Sequence, residues 1–224
     1  MNGMIYQIAV FAIPMVLAIV LHEIAHGYVA RMLGDHTAAD LGRLTLNPIR
    51  HVDPVGTLLL PLMLGLAGGP IFGWAKPVPV VAERLNHPRR DMALVALAGP
   101  LTNLFLAALA AVAMRWWADS TGHLPEGGTA GFVADNLTSF LLINVFLAIF
   151  NLLPVPPFDG GHVVEAVLPR RLAAAYAKLR PFAFPVMLFL LVLLPTIAPG
   201  ADVVTRVVGP IARGIVRLFL APIG

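Results

Sequence analysis

Two histidines and a glutamate near the N-terminus have the residue types and spacing of a metal-dependent hydrolase. The pentapeptide His22-Glu23-Ile24-Ala25-His26 places two imidazoles four residues apart. On a helix such residues project from one face, so both can bind the same metal ion. Glu23 lies between them and can accept a proton from water activated by that metal. The motif therefore predicts His22 and His26 as metal ligands and Glu23 as the catalytic base.

A catalytic zinc ion needs a third protein ligand and one open position. The chain contains no cysteine, so the third ligand must be Asp, Glu or another His. Asp159 is the strongest candidate because it follows an apolar stretch within a run of prolines and glycines at 151–162. Irregular backbone at membrane depth is tolerated only where it is buried in protein or lines a watery cavity. The same run also fits an ordinary turn after a helix, and this alternative stays open at this point.

The composition indicates which class of protein carries this site. Of the 224 residues, 58% are hydrophobic and 12% are charged, and the mean hydropathy is +0.85. A soluble domain contains about 25% charged residues, and disorder requires low hydrophobicity, so both classes are excluded. The net charge of +3 comes without a dense basic run, which argues against nucleic acid as a partner. We expect an all-α multi-pass membrane protein, with residues 1–224 forming a single membrane-embedded domain.

The apolar segments predict four to six transmembrane helices. Four are long enough to cross about 30 Å of hydrocarbon, namely 4–21 (with a helical pattern running toward 33), 92–117, 132–152 and 181–199. The stretch 55–72 is interrupted by prolines and glycines, which favours a re-entrant segment. The stretch 203–221 carries three arginines on one helical face. It fits either a helix at the membrane interface or a span with a basic stripe.

Two segments that flank the stretch 55–72 resemble strands. Residues 41–46 alternate apolar and polar side chains, and residues 73–80 contain prolines that favour extended backbone. We expect the two segments to pair, which gives a small β and re-entrant element between the first two spans. A strand with prolines at its edge could bind an extended peptide, so Lys76 and Val78 are predicted to contact substrate.

The distribution of basic residues predicts the orientation in the membrane. Lys and Arg are frequent in 31–54, 76–91 and 169–180, and they are absent from 118–131. The positive-inside rule then puts the first three segments on the cytoplasmic side. We expect the N-terminus to lie outside the cell membrane and the active site to lie toward the cytoplasm.

The sequence resembles the site-2 protease family of intramembrane zinc metalloproteases. The resemblance rests on the His22–His26 motif combined with Asn151-x-x-Pro154-x-x-x-x-Asp159-Gly160. Three further stretches support it: Gly99-Pro100-x-x-Asn103, residues 42–57 and residues 72–80. The similarity covers about residues 15–165, the expected catalytic core, which leaves the helices of 181–224 as a C-terminal addition. This chain has no room for a PDZ domain between its spans and no C-terminal CBS domain, so it is similar to a compact form of the family.

The resemblance implies roles for particular residues. It implies that His22, His26 and Asp159 hold one Zn²⁺ per chain and that Glu23 is the catalytic base. It also implies that Asn151 and Asn103 lie near the substrate. Asn144, seven residues before Asn151 on the same helical face, is as well explained by a hydrogen bond between helices.

These observations predict an intramembrane zinc endopeptidase that cuts transmembrane segments of membrane-anchored proteins, in regulated proteolysis or in removal of signal peptides. The expected partners are a transmembrane protein substrate and the lipid bilayer; the oligomeric state is not specified by the sequence. The alternative is a membrane metal-binding protein or transporter that uses the same His and Asp residues without catalysis. Glu23 argues against the alternative because a transporter has no need of a carboxylate between the two ligands.

Overall fold

The computed structural model of the protein describes residues 3–66, 73–198 and 202–221, and all the regular secondary structure in these ranges is helical. The α-helices in chain order are α1 Gly3–Met32, α2 Thr37–Asp40, α3 Leu60–Leu66, α4 Pro88–Thr121, α5 Gly128–Asn151, α6 Asp159–Val167, α7 Arg170–Ala177, α8 Ala183–Leu188, α9 Leu194–Ile197 and α10 Gly209–Leu220. Shorter 3₁₀ and π segments are Pro48–His51, Pro54–Leu59, Ala82–Arg84, Arg180–Phe182, Phe189–Leu193 and Val204–Val208.

Four helical segments are long and apolar enough to cross a membrane, which confirms the all-α multi-pass prediction. They are Gly3–Met32, Pro88–Thr121, Gly128–Asn151 and the composite segment Arg170–Ile197, which runs from α7 to α9. A helix rises 1.5 Å per residue, so each segment exceeds the roughly 20 residues that a bilayer requires. Each observed segment begins before the apolar stretch that predicted it, and the first two also end after it, because polar terminal turns continue the helix outside the hydrophobic window.

The core lies between α4 and α5, with α1 packed against both helices and α6 against α4. Small residues of α4, among them Ala107 and Ala111, face Leu141 and Val145 of α5. Small side chains let two helix backbones approach closely, which is how membrane helices pack without a hydrophobic driving force. The last two helical segments, Val204–Val208 and α10, pack against this core through Val208, while their three arginines are exposed. Within the described residues they are not among the four candidate spans.

The structure contradicts the predicted β element. Within the described ranges neither 41–46 nor 73–80 is a strand, and no backbone hydrogen bond joins the two segments. A buried side chain joins them instead, because Nη2 of Arg43 donates to the carbonyl oxygens of Lys76 (3.0 Å) and Pro77 (3.3 Å). The alternating pattern of 41–46 therefore reflects one arginine that points inward rather than a strand with two faces.

The re-entrant hypothesis is not supported either. The described part of the stretch 55–72 forms one short apolar helix, Pro54–Leu66, and residues 67–72 lie outside the described ranges. This helix is about 20 Å long at 1.5 Å per residue, shorter than the hydrocarbon core of a bilayer.

Residues 73–81 form an extended segment that is attached to its surroundings by single hydrogen bonds rather than by a sheet ladder. Four of its N–H groups donate to acceptors elsewhere: Trp74 to Gly56 O (3.1 Å), Lys76 to His51 O (2.8 Å), Val78 to Glu23 Oε2 (2.8 Å) and Val81 to Asp35 Oδ2 (2.7 Å). The prolines at 77 and 79 have no N–H to satisfy, so they extend the backbone without an unpaired donor. The segment is therefore fixed close to the predicted active site.

Asp35 is predicted to stabilise the attachment of this segment. Its side chain is fully buried, which raises the pKa of its carboxyl, but hydrogen bonds from the Thr37 hydroxyl and from the N–H groups of Val81 and Thr37 outweigh burial and lower that pKa. Replacing Asp35 with Ala leaves these donors unpaired, so we expect the free energy of unfolding to fall by about 1–3 kcal/mol. Thermal unfolding in detergent measures this loss. The exposed Asp40→Ala is the control, and equal stabilities of the two variants would contradict the prediction.

Candidate metal centre

Helix α1 brings the two histidines together as the spacing predicts. His22 and His26 are both buried, with 6% and 9% of their surface exposed, and their Nε2 atoms lie 3.0 Å apart. Their rings are nearly perpendicular, with centroids 4.6 Å apart. One face of the helix therefore presents two imidazole nitrogens to a common point.

Asp159 reaches the same point from the far end of the chain. Helix α5 ends at Asn151, the chain turns through 152–158, and Asp159 is the first residue of α6. Gly160 permits this tight return, because a Cβ there would lie 2.3 Å from the carbonyl oxygen of Leu152. Oδ2 of Asp159 lies 3.2 Å from Nε2 of His22 and 3.4 Å from Nε2 of His26.

The three atoms fit a metal ion. Tetrahedral zinc with bonds of about 2.0–2.1 Å separates neighbouring ligand atoms by roughly 3.3–3.4 Å, close to the observed separations of 3.0, 3.2 and 3.4 Å. The Oδ2 atom of Asp159 is buried and accepts no hydrogen bond.

The other nitrogen of each histidine is bound by helix α4. Nδ1 of His26 lies 2.7 Å from the carbonyl oxygen of Val95, and Nδ1 of His22 lies 2.5 Å from Oδ1 of Asn103. A carbonyl oxygen can only accept, so Nδ1 of His26 carries the proton and Nε2 has its lone pair free. Metal-binding histidines almost always donate their second nitrogen in this way, which fixes the ring for coordination.

Gly99 of α4 provides the space in which the two imidazoles meet. A Cβ at this position would lie 2.5 Å from Nε2 of His26 and 2.6 Å from Nε2 of His22. The close approach of α4 to both ligands therefore requires glycine at residue 99.

Glu23 lies beside the three candidate metal ligands and is oriented by the segment 73–81. Its Oε2 atom accepts the N–H of Val78, and within the described residues no donor pairs with Oε1. Because prolines precede and follow Val78, this N–H is the single backbone donor of the tripeptide 77–79. One carboxylate oxygen is thus held by the backbone, and the other remains available to accept a proton.

A cavity of about 730 Å³ opens onto the cluster, and its walls are mostly apolar. Of the residues predicted to contact substrate, Val78 and Asn151 line it, together with Glu23 and the three clustered side chains. Lys76 does not line it: its side chain is exposed, and its N–H and C=O are used within the fold. Asn103 does not line it either, since it is fully buried behind His22. This position does not offer Asn103 to a substrate.

His162 forms part of the same cavity wall, one helical turn after Asp159. Burial lowers the pKa of its imidazole, and the positive charge of Arg180 lowers it further, so His162 is neutral at pH 7. It adds no positive charge to the metal site.

Two supporting features were not predicted from the sequence. The carbonyl of Val95 is a backbone group, which every residue type carries, so no sequence signal could indicate it. The requirement for a small residue at 99 had a signal only in the Gly99-Pro100 motif, whose physical reason was not evident without the neighbouring helix.

Comparisons with known proteins identify the family. The sequence model of peptidase family M50 matches residues 123–194, a range that contains α5, the turn after it and Asp159. A Bacillus subtilis protein named "Putative zinc metalloprotease YwhC" is 38% identical over 181 residues, which cover 80% of this chain and 78% of the relative. The chain belongs to peptidase family M50, the site-2 protease family.

Other M50 relatives are more distant or longer. "Putative zinc metalloprotease Rip2" of Mycobacterium tuberculosis is 37% identical over 177 residues, covering 79% of this chain and 64% of that protein. "Zinc metalloprotease MJ0392" of Methanocaldococcus jannaschii is 26% identical over 171 residues, covering 76% and 38% respectively. No solved structure matches the chain. Membership of M50 and the His22, His26 and Asp159 cluster confirm a zinc metalloprotease with a metal site in a multi-pass membrane protein.

Adding one methyl group at Gly99 is predicted to disrupt the metal site. In the Gly99→Ala variant the new Cβ displaces both imidazoles, so we expect zinc affinity to fall by about 10-fold or more, since even outer-shell changes cost 10–100-fold. Competition with a chromophoric chelator measures the Kd for zinc. Gly214→Ala is the matched control, because a Cβ at this helical glycine meets nothing within 4 Å. A Gly99→Ala protein with wild-type zinc affinity would show that the site tolerates the methyl group.

Proposed function

We propose that this protein is an intramembrane zinc endopeptidase that hydrolyses peptide bonds within transmembrane segments of membrane-anchored proteins. The observation that carries the proposal is the position of His22 and His26 along a helix that is long and apolar enough to cross a membrane. His22 lies ten residues before the end of α1 at Met32, which is about 15 Å along the axis. The helix has 30 residues and is about 45 Å long, and the hydrocarbon layer is about 30 Å thick, so this distance from the helix end supports reacting groups at the inner edge of that layer.

The residues of the site support hydrolysis in these roles. His22, His26 and Asp159 would hold the zinc ion, which would supply Lewis acidity toward water and a carbonyl group. Glu23 accepts the proton of the attacking water at its unpaired Oε1 and passes it to the leaving amine. Val78 keeps the same carboxylate in place through Oε2.

The extended segment 73–81 supports a docking role for substrate. A transmembrane helix satisfies its own backbone hydrogen bonds, so it must unwind before a peptide bond can be cut. Ala75 lines the cavity, and within the described residues no protein group pairs with its N–H or C=O. An unwound substrate segment can bind these groups in an extended conformation, as in β-strand addition.

The charge distribution supports an active site on the cytoplasmic side of the cell membrane and an N-terminus outside. Arg89, at the start of α4, donates to the carbonyl oxygen of Glu165 at the end of α6. Arg89, Arg170 and Arg180 line one pocket, and Arg180 also lines the cavity that contains Asp159, so the basic residues of 76–91 and 169–180 come together at this end of the bundle. The loop 122–127 at the opposite end has no Lys or Arg. Cytoplasmic segments of membrane proteins are enriched in these residues.

Replacing the base with its amide is predicted to separate metal binding from catalysis. The Glu23→Gln variant can still accept the Val78 N–H but cannot take up a proton, so we expect wild-type zinc content and a cleavage rate lower by about 10²–10⁴-fold. Zinc stoichiometry and cleavage of a model transmembrane peptide in proteoliposomes measure the two effects. Glu83→Gln, at an exposed residue, is the control. Wild-type protein that binds zinc without cutting would favour the metal-binding or transport function instead.

Removing the free donor of the extended segment is predicted to weaken substrate docking. Ala75→Pro removes an N–H that pairs with no acceptor among the described residues, in a segment that already contains prolines at 77 and 79. Loss of one hydrogen bond of about 0.5–1.5 kcal/mol lowers kcat/KM by roughly two- to tenfold. Zinc content stays unchanged. Ala75→Ser keeps the N–H and is the control, and equal kcat/KM for both variants would exclude docking through this group.

A further inference from the structure

A chain of buried hydrogen bonds extends from the back of His22 across two helices. Nδ1 of His22 lies 2.5 Å from Oδ1 of Asn103 on α4, and Nδ2 of Asn103 donates to Oδ1 of Asn144 on α5 (2.7 Å). Nδ2 of Asn144 donates to the carbonyl oxygen of Phe140 (2.8 Å). Both asparagines are completely buried. The chain therefore joins α1, α4 and α5 at the metal site.

The direction of every bond in this chain is fixed by backbone carbonyls. The Phe140 carbonyl can only accept, so the amide of Asn144 must turn Nδ2 toward it and Oδ1 toward Asn103. Asn103 then donates from Nδ2 to Asn144, and the same Nδ2 lies 3.3 Å from the carbonyl oxygen of Ala18. This leaves Oδ1 of Asn103, an acceptor, facing Nδ1 of His22.

The polarity of the chain selects one tautomer of His22. An acceptor at Nδ1 requires the proton on that nitrogen, so Nε2 keeps the lone pair that a metal ion needs. If the amide of Asn103 turned over, its NH₂ group would face Nδ1 and favour the proton on Nε2, which blocks coordination. His26 has no such ambiguity, because its Nδ1 faces the carbonyl of Val95 directly.

We propose that Asn144 is a positioning residue for zinc binding: it fixes the amide orientation of Asn103, and through it the tautomer of His22. The proposal rests on the metal site of the proposed function but not on peptide cleavage. A comparison within α5 supports it. Asn136 and Asn151 make the same bond to the carbonyl four residues before them, yet neither contacts Asn103. Among the three, Asn144 is the one that is bonded to Asn103, the partner of His22.

Zinc affinity of the purified full chain tests the proposal. Asn144→Leu removes the closer of the two acceptors of Asn103 Nδ2 and leaves only the Ala18 carbonyl at 3.3 Å. We therefore expect the Kd for zinc to rise by about 10–100-fold, the effect of losing a group that orients a metal ligand. Asn136→Leu is the matched control, with the same substitution and the same lost bond on the same helix, and its Kd should equal that of wild type. Thermal unfolding confirms that each variant is folded.

A second background separates positioning from a merely structural role. Asn103→Asp gives His22 a partner whose two oxygens both accept, so it has no wrong orientation for Asn144 to prevent. In this background Asn144→Leu should leave the Kd for zinc within about twofold, whereas loosened helix packing would weaken binding in both backgrounds. A wild-type Kd in Asn144→Leu, or an equal loss in both backgrounds, would overturn the proposal. Because zinc is the probe, a protein that binds it in this pattern but cuts no peptide would count against the protease and not against the positioning role.

Discussion

Nε2 of His22, Nε2 of His26 and Oδ2 of Asp159 lie 3.0–3.4 Å apart in mostly apolar surroundings. Lone pairs that face one another at this distance repel, and the interior of a bilayer offers few alternatives to relieve them. A cation bound between the three atoms would make the arrangement favourable. The helices bring the three groups close enough for a cation to bind. Helix α1 carries two of the groups, and the turn after α5 brings the third from more than 130 residues away.

Helix α4 contributes no metal ligand, but one of its faces supports both histidines. Val95, Gly99 and Asn103 are spaced four residues apart, so they lie along one stripe of the helix. Each serves a different need, since Val95 offers a carbonyl to His26, Gly99 leaves room for the rings and Asn103 contacts His22. A helix that packs here must therefore satisfy shape and hydrogen bonding at once.

The parts of the site that sequence could predict are those that depend on local geometry or on chain direction. The pair His22 and His26 follows from helical spacing alone, and Asp159 follows from two spans that run the same way and end at similar depth. The four spans follow from apolar length. The prediction of a β element was wrong because alternation in 41–46 can arise either from a strand or from a single side chain that points inward, here Arg43. Only tertiary contacts distinguish the two. The substrate role of Asn103 stays a prediction, and the structure adds that its side chain lies behind His22. Sequence identifies a polar residue near the site but not the side of the site that it faces.

The choice of amides behind His22 is consistent with the electrostatics of a membrane interior. Zn²⁺ would bring two positive charges, and the carboxylates of Asp159 and Glu23 are the two acidic side chains beside the site that can balance them. A carboxylate at residue 103 would orient His22 as well as an amide does, and it would need no partner to fix its direction. It would, however, add an uncompensated charge where burial of charge is expensive. Asparagine avoids that charge but has two distinguishable ends, so it needs a second group to set its orientation. The buried pair of Asn103 and Asn144 thus follows from the cost of charge in lipid together with the requirement for one tautomer at the metal ligand.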